Sequence, residues 1–370
     1  MGINGKLRAN FGAIVILALG VSVISGLPFF RFDYYEVYVS TYHLTNTQMG
    51  VFGTVIGVFG IVSYLFGGVV ADGMPVKKII VVSLLATGIG GFLHLLPLGF
   101  KGLLCIHALW GVSTTFAFWP ACVKAVRVMS DQDSQGKAYG FFEGTQNIAG
   151  GVIALIAVVL FNFGASQMKN EVLAMKYVIL FYSIVNIAMA IFAYYAVKDD
   201  KMVLNADKVS FKGLTKVLKN PAVWIICMVT FCNHVFCLSI YYYIPMYRYP
   251  GSSVAFGAMM GVFRKFGSIG GNIVGGYLAD KFGTAKLMLL AFVAMLAGQI
   301  LLVLTPAKSS KCYYCDGAVC CNFGIFSYEL CYGMDDDERG SRTGRIFRNS
   351  CGTDLYGGIY SGDICFNSGW

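Results

Sequence analysis

The side chains that could do chemistry in this chain lie inside long apolar runs. The first run holds Arg31 and Asp33, followed by Tyr34 and Tyr35. The fourth is interrupted by Trp119-Pro120. The fifth carries Glu143, with Gln146 and Asn147 one turn later on nearly the same helical face. The seventh has Asn233 and His234, then Tyr241, Tyr242 and Tyr243 ahead of Pro245. The eighth holds the consecutive pair Arg264 and Lys265, about sixteen residues and ~24 Å along a helix from Asp280. An ionisable group at bilayer depth costs a few kcal/mol, so each marks function or paired structure. Together these types suit the capture of a polar solute. Cations attract an anion or a polyhydroxylated molecule, rings pack against it, and Asp33, Glu143 or His234 could carry a coupling proton.

Nothing in the set points to bond-breaking chemistry. There is no Gly-x-x-x-x-Gly-Lys-Ser/Thr loop, which argues against ATP-driven work. His234 has no Ser or Cys arranged as its nucleophile, and Cys232 and Cys237 flank it at uneven spacing, as packing cysteines would. No catalytic residue, metal site or cofactor is expected.

Each candidate also has a packing reading. Arg31 and its tyrosines could anchor at the outer interface. Glu143 could pair with Lys124 or Arg127 near the inner surface. Tyr241–Tyr243 read best as an interfacial belt, His94 and His107 as packed or interfacial, and Trp119-Pro120 equally as a kink. Arg264 and Lys265 resist such a reading, because they are too deep for snorkelling to the inner surface.

The elements that must position these groups follow from composition. The chain has 370 residues, of which 57% are hydrophobic and only 13% charged, and its mean hydropathy is +0.67. Soluble proteins carry about 25% charged residues. Nine apolar runs, at roughly 11–35, 47–71, 79–100, 103–129, 139–163, 178–197, 222–247, 254–279 and 287–305, are each long enough to cross a bilayer as helix. The expected fold class is therefore all-α and polytopic.

The net charge of +9 reflects topology, not nucleic acid. With the N-terminus inside, the inner segments collect Lys6, Arg8, Lys77, Lys78, Arg127, Lys137, Lys281 and Lys286, together with six lysines of the 198–221 linker. The outer loops hold Lys101, Lys169, Lys176 and Arg248. This asymmetry places the N-terminus in the cytoplasm. No cleavable leader is expected at the start. The Val209–Leu218 part of the linker is amphipathic and reads as a helix lying on the membrane surface.

The ends of the second and eighth runs repeat one another. One reads Gly67-Gly68-Val69-Val70-Ala71-Asp72 before Lys77-Lys78. The other reads Gly275-Gly276-Tyr277-Leu278-Ala279-Asp280-Lys281-Phe282-Gly283 before Lys286. The aspartates lie 208 positions apart, about half of a twelve-helix chain, and repeated halves are a sign of secondary transporters. Paired glycines allow close helix approach, the Asp can pair with a base or cap a helix, and Gly283 permits a tight turn.

This pattern resembles the inner-loop signature of the major facilitator superfamily; in the first copy Met74-Pro75 replaces the second glycine region. Leu27-Pro28-Phe29-Phe30-Arg31-Phe32-Asp33-Tyr34-Tyr35 with Leu44-Thr45-Asn46-Thr47-Gln48-Met49-Gly50, and the Phe118–Arg127 and Gln135–Gly144 stretches, resemble its YihN-like permeases, which are related to the organophosphate:phosphate antiporters. The resemblance, spanning roughly residues 1–306, implies a two-bundle fold: a six-helix bundle at 1–197, a cytoplasmic linker at 198–221 and a three-helix partial bundle at 222–306. It implies transport of a small organic solute, a sugar derivative or organic anion, across the cytoplasmic (inner or plasma) membrane, by a monomer and by alternating access. A coupling proton or a counter-solute would drive it. Asp72 and Asp280 would serve a gate, with Arg127 a partner for Asp72. Arg264 would meet the solute while Lys265 pairs with a carboxylate such as Asp33.

The 307–370 tail departs from that pattern. It holds seven of the twelve cysteines and the run Asp335-Asp336-Asp337-Glu338. An outer disulfide-bonded cap, a zinc site beginning at Cys312 and Cys315, and a shifted reading frame compete to explain it. The rival to transport is accordingly a non-transporting membrane protein, receptor-like or inactive.

Overall fold

The computed structural model describes residues 5–116, 118–130, 135–197, 221, 224, 228, 231, 232, 235, 262, 266 and 284–304. The helices are α1 (Gly5–Ile24), α2 (Gly26–Asp33), α3 (Tyr35–Tyr42), α4 (Asn46–Gly73), α5 (Val76–His94), α6 (Phe100–Thr115), α7 (Phe118–Val128), α8 (Gln135–Met168), α9 (Glu171–Ala196) and α10 (Thr284–Leu304). There is no strand among the described residues. Among the described residues five spans are long and apolar enough to cross a membrane, and the bent pair of α1 and α2 makes a sixth. These match the first six apolar runs, and α10 matches the ninth.

Two expected single helices are broken, and a proline explains each. Pro28 has no N–H to give the carbonyl four residues before it, and its ring crowds that position. That position is Ile24, and the axis turns by 46° there, between Ile24 and Gly26. Pro120 stands in the same relation to Phe116, where α6 ends before α7 begins at Phe118. A further break falls at Tyr34, whose backbone leaves the helical region before α3 starts.

The turns follow local chemistry. Thr45 and Gln48 form a reciprocal capping box, with Gln48 N donating to Thr45 Oγ1 at 3.2 Å and Thr45 N to Gln48 Oε1 at 2.9 Å. At the next turn Met74 is extended, as a residue before proline must be, so Met74-Pro75 reverses the chain where the repeat motif would use glycine. Asn170 caps α9 by accepting from Leu173 N at 3.1 Å.

Two apolar cores sit end to end along the bundle. The first joins Ile14–Ile24, Val76–Leu84, Phe118–Val126, Ala138–Phe142 and Met189–Val197. The second joins Leu27–Tyr38, Leu44–Phe52, Leu103–Trp110, Ala157–Phe161 and Ala174–Tyr182. Both proline breaks lie on the border between them. Val262, from the other half of the chain, packs into the second core, and a Cβ added to Gly151 would stand 3.0 Å from the Phe266 ring. Phe266 thus meets α8 at Gly151.

Candidate functional site

Between the two cores every helix of the bundle that passes from one to the other carries polar groups. Helix α1 brings Ser22, the break before α2 brings Ser25, α5 brings Thr87, α6 brings Ser113, α8 brings Gln146, and α9 brings Ser183 and Asn186. Thr87 Oγ1 and Ser113 Oγ share a hydrogen bond of 2.7 Å, and Trp110 Nε1 donates to Thr87 O at 3.2 Å. Ser22 Oγ reaches Ala18 O at 2.9 Å and Gln146 O at 2.7 Å. Ser183 Oγ donates to Ile179 O at 2.7 Å. This layer is where a helix can break, because side chains stand ready to take the groups a break exposes.

The layer is incompletely satisfied. Trp119 Nε1, Gln146 Oε1 and Asn186 Oδ1 are buried with no hydrogen-bond partner among the described residues. One is a donor and two are acceptors. An unmade hydrogen bond on a buried polar group costs about 1–3 kcal/mol. Trp119 opens α7 just after the Phe116 break, with its ring 6.2 Å from Phe142. Glu143 and Asn147 flank Gln146 on α8, and all three are half-buried. On the predicted helix-five stripe the backbone of Gln146 is thus tied to Ser22, and Phe142, beside Glu143 in the chain, faces the Trp119 ring.

The helix-one group stands farther along, in the second core. Arg31 is 1% exposed, donates from Nη1 to Pro28 O at 2.6 Å and lies 4.6 Å from the Phe32 ring centroid. Tyr34 and Tyr35 are buried and Asp33 is half-buried. Arg31, Tyr34 and Tyr35 are thus enclosed by the protein. Tyr34 packs on Phe161 at 4.9 Å and its hydroxyl has no partner among the described residues. Tyr35 donates to Asn46 Oδ1 at 2.7 Å.

The two histidines, expected from the sequence to be packed or interfacial, form a connected cluster with rings 6.3 Å apart. His94 Nε2 lies 2.8 Å from Tyr38 Oη and its Nδ1 3.1 Å from Tyr42 Oη. Tyr42 also donates to His94 O at 3.2 Å. The His94 ring stacks on Trp110 at 5.5 Å. His107 stacks on Phe52 at 4.2 Å, and its Nδ1 donates to Leu103 O at 2.8 Å. This cluster ties α3, the extension of helix one, to α5. The signal that could have found it is the presence of two histidines in apolar runs together with Tyr38 and Tyr42 at helical spacing.

Of the motif residues, Gly68 and Asp72 fall in the last turns of α4. Lys77 places its Nζ 4.0 Å from the Tyr194 ring centroid, joining the start of α5 to the end of α9. Lys78, Arg127 and Lys286 are exposed. Asn233, His234, Tyr242, Arg264, Lys265, Gly276, Asp280 and Gly283 lie outside the described residues. So do the linker 198–220 and the tail 307–370. Among the described residues no group of three or more His, Cys, Asp or Glu could hold a metal ion.

A family profile described as Major Facilitator Superfamily matches residues 8–334, reaching into the 307–370 tail. The inner membrane protein YihN of Escherichia coli (strain K12) is 28% identical over 321 residues, 83% of this chain and 74% of that protein. The inner membrane protein YqcE of the same strain is 27% identical over 305 residues, 79% and 70% of the two chains. Among solved structures, a bacterial homologue of the human lysosomal transporter Spinster, inward-facing and unoccupied, superposes with a TM-score of 0.66 at 15% identity over 98% of this chain and 81% of that one. The xylose transporter XylE of E. coli, in a partially occluded inward-open conformation, gives 0.70 at 12% identity over 97% and 89%. At these identities the structural likeness is one of fold.

Proposed function

The chain belongs to the major facilitator superfamily and is a membrane transporter of that fold, and on this premise we propose that it carries a small organic solute, a sugar derivative or organic anion, by alternating access through a site centred on the polar layer. The observation that carries the reading is the pair of unsatisfied buried groups, Trp119 Nε1 and Gln146 Oε1, on neighbouring helices at the border of the two cores. A solute hydroxyl or carboxyl group would complete both. Midplane binding at discontinuous helices is what transporters built from repeated halves use.

In this reading Glu143 and Asn147 extend the contact along α8, and Tyr34, Tyr35 and Tyr242 supply rings. Arg31 and Arg264 provide positive potential for an anionic group. Arg is the better bidentate partner, so Arg264 meets the solute and Lys265 pairs with a carboxylate such as Asp33. Coupling runs through a proton on Asp33, Glu143 or His234, or through counter-solute exchange. Asp72 with Arg127, and Asp280 with Lys286, serve the inner gate. The N-terminus is cytoplasmic, and residues 198–221 link a six-helix bundle to a partial second one.

The test is counterflow into proteoliposomes with a panel of neutral monosaccharides, sugar acids, sugar phosphates and simple organic acids. One class should exchange. Trp119→Phe and Gln146→Leu should each weaken its apparent affinity about tenfold, the worth of ~1.4 kcal/mol, with yields unchanged. Exchange with unaltered affinity in both variants would move the site elsewhere, and absence of exchange across the panel would remove the solute class.

A further inference from the structure

The break at Ser25 leaves acceptors to be satisfied. Pro28 cannot supply an N–H to Ile24, and the 46° turn disturbs the neighbouring carbonyls. Ser25 Oγ donates to Ser22 O at 3.1 Å. The carbonyl of Val23 is met from another helix, by Asn186 Nδ2 at 3.3 Å, and the same amide nitrogen reaches Tyr182 O at 2.8 Å. Asn186 is wholly buried on α9. Two carbonyls on the nitrogen side fix the orientation of the amide, since a flipped group would set oxygen against oxygen.

The surroundings leave this side chain little freedom. A Cβ on Gly88 of α5 would stand 3.2 Å from Asn186 Cβ and 3.1 Å from Ser183 O. On Gly91 it would overlap Ser183 Oγ and lie 2.8 Å from Leu27 Cδ1, and on Gly26 it would run into the Tyr182 ring. Helices α5 and α9 therefore close around the bend at glycine positions, with Asn186 at the centre.

From this we infer that Asn186 is the positioning residue of helix one: its amide holds the bend at Ser25 and so sets where α2 presents Arg31, Asp33 and Tyr34. The residue works through helix one and need not touch solute. Its Oδ1, buried with no partner among the described residues, is an acceptor available to a helix-one donor when the bend changes. The consequence for solute contacts rests on the function proposed above. The bend itself does not, and it is measured without any solute.

The measurement is hydrogen–deuterium exchange of the full chain in nanodiscs, read over residues 25–34 and compared with α5 and the rest of α9. Asn186→Leu keeps the heavy-atom branching and removes the donor. It should speed exchange over 25–34 at least tenfold while α5 changes less than twofold. Asn186→Asp, whose buried acid keeps one O–H donor, should stay within threefold of the parent. In a Pro28→Ala background, where Ile24 regains its helical partner, Asn186→Leu should have no such effect. Unchanged exchange over 25–34 in Asn186→Leu, an equal rise throughout the bundle, or an undiminished effect in the Pro28→Ala background would each overturn the assignment. If Asn186→Leu alone does not accumulate in membranes, its recovery in the Pro28→Ala background supports the assignment and continued failure there overturns it.

Discussion

Ser22 donates its hydroxyl to the backbone carbonyl of Gln146, 2.7 Å away and 124 positions along the chain. The same oxygen lies 2.9 Å from Ala18 O in its own helix. One hydroxyl proton thus stands between an intrahelical and an interhelical acceptor, on the residue whose side chain is half of the proposed solute contact. Ser22→Ala should remove the tie between α1 and α8 and destabilise the bundle by about 0.6–1 kcal/mol, the usual worth of such a bond in a membrane. The midpoint of denaturation in mixed micelles measures it. A midpoint equal to that of the parent would mean the intrahelical acceptor takes the proton throughout.

The α5–α9 contact tolerates no added atoms. Gly91→Val must push against both Ser183 and Leu27, and overpacking of this kind costs about 1–3 kcal/mol. Folded yield should fall, and adding Ser183→Gly should restore part of it. If the double variant is no better than Gly91→Val, the strain lies elsewhere.

His94→Leu should be more damaging than Tyr42→Phe. The first removes the imidazole partner of the buried Tyr38 hydroxyl, at about 1–3 kcal/mol for a buried group left unmet, while Tyr42 keeps the His94 carbonyl. The second removes one hydroxyl and leaves the Tyr38 bond intact. Thermal unfolding in detergent gives the order, and a reversed order would show that the imidazole is there for shape alone.

Tyr194→Ala should cost no more than about 0.5–1 kcal/mol, because the Lys77 contact is partly exposed. Tyr194→Phe should cost less still, since the ring face is what Lys77 meets. A loss in Tyr194→Phe as large as in Tyr194→Ala would assign the effect to the hydroxyl.

Orientation has its own test. Lys169 lies in the turn between α8 and α9, on the outer side in the assignment above. In a cysteine-free background, Lys169→Cys should react with an impermeant maleimide from outside intact cells. Labelling only after the cells are opened would invert the topology.

The six spans of the first half were legible because apolar runs of membrane length have one structural solution. Their breaks were less so. Pro28 acts on Ile24, four residues upstream, inside a stretch that reads as uninterrupted helix. The run drawn to residue 100 ends instead at His94, since Leu95–Gly99 forms a turn and Phe100 begins the next helix. The stripe of Glu143, Gln146 and Asn147 was visible from helical spacing. Asn186, Ser22 and Ser183 were not, because a search for charge passes over neutral polar groups. Their meaning depends on which helices face one another, which a single run does not record.

Helix α8 has 34 residues, ~51 Å at 1.5 Å per residue. That exceeds a hydrocarbon slab of ~30 Å by roughly 20 Å. A rod so much longer than its solvent must lean or protrude, and how far it leans depends on acyl-chain length. It is also the rod against which Phe266 of the second half rests, at Gly151. The thickness of the surrounding lipid therefore bears on the lean of the helix that Phe266 meets, and acyl-chain length becomes a mechanical variable for this contact.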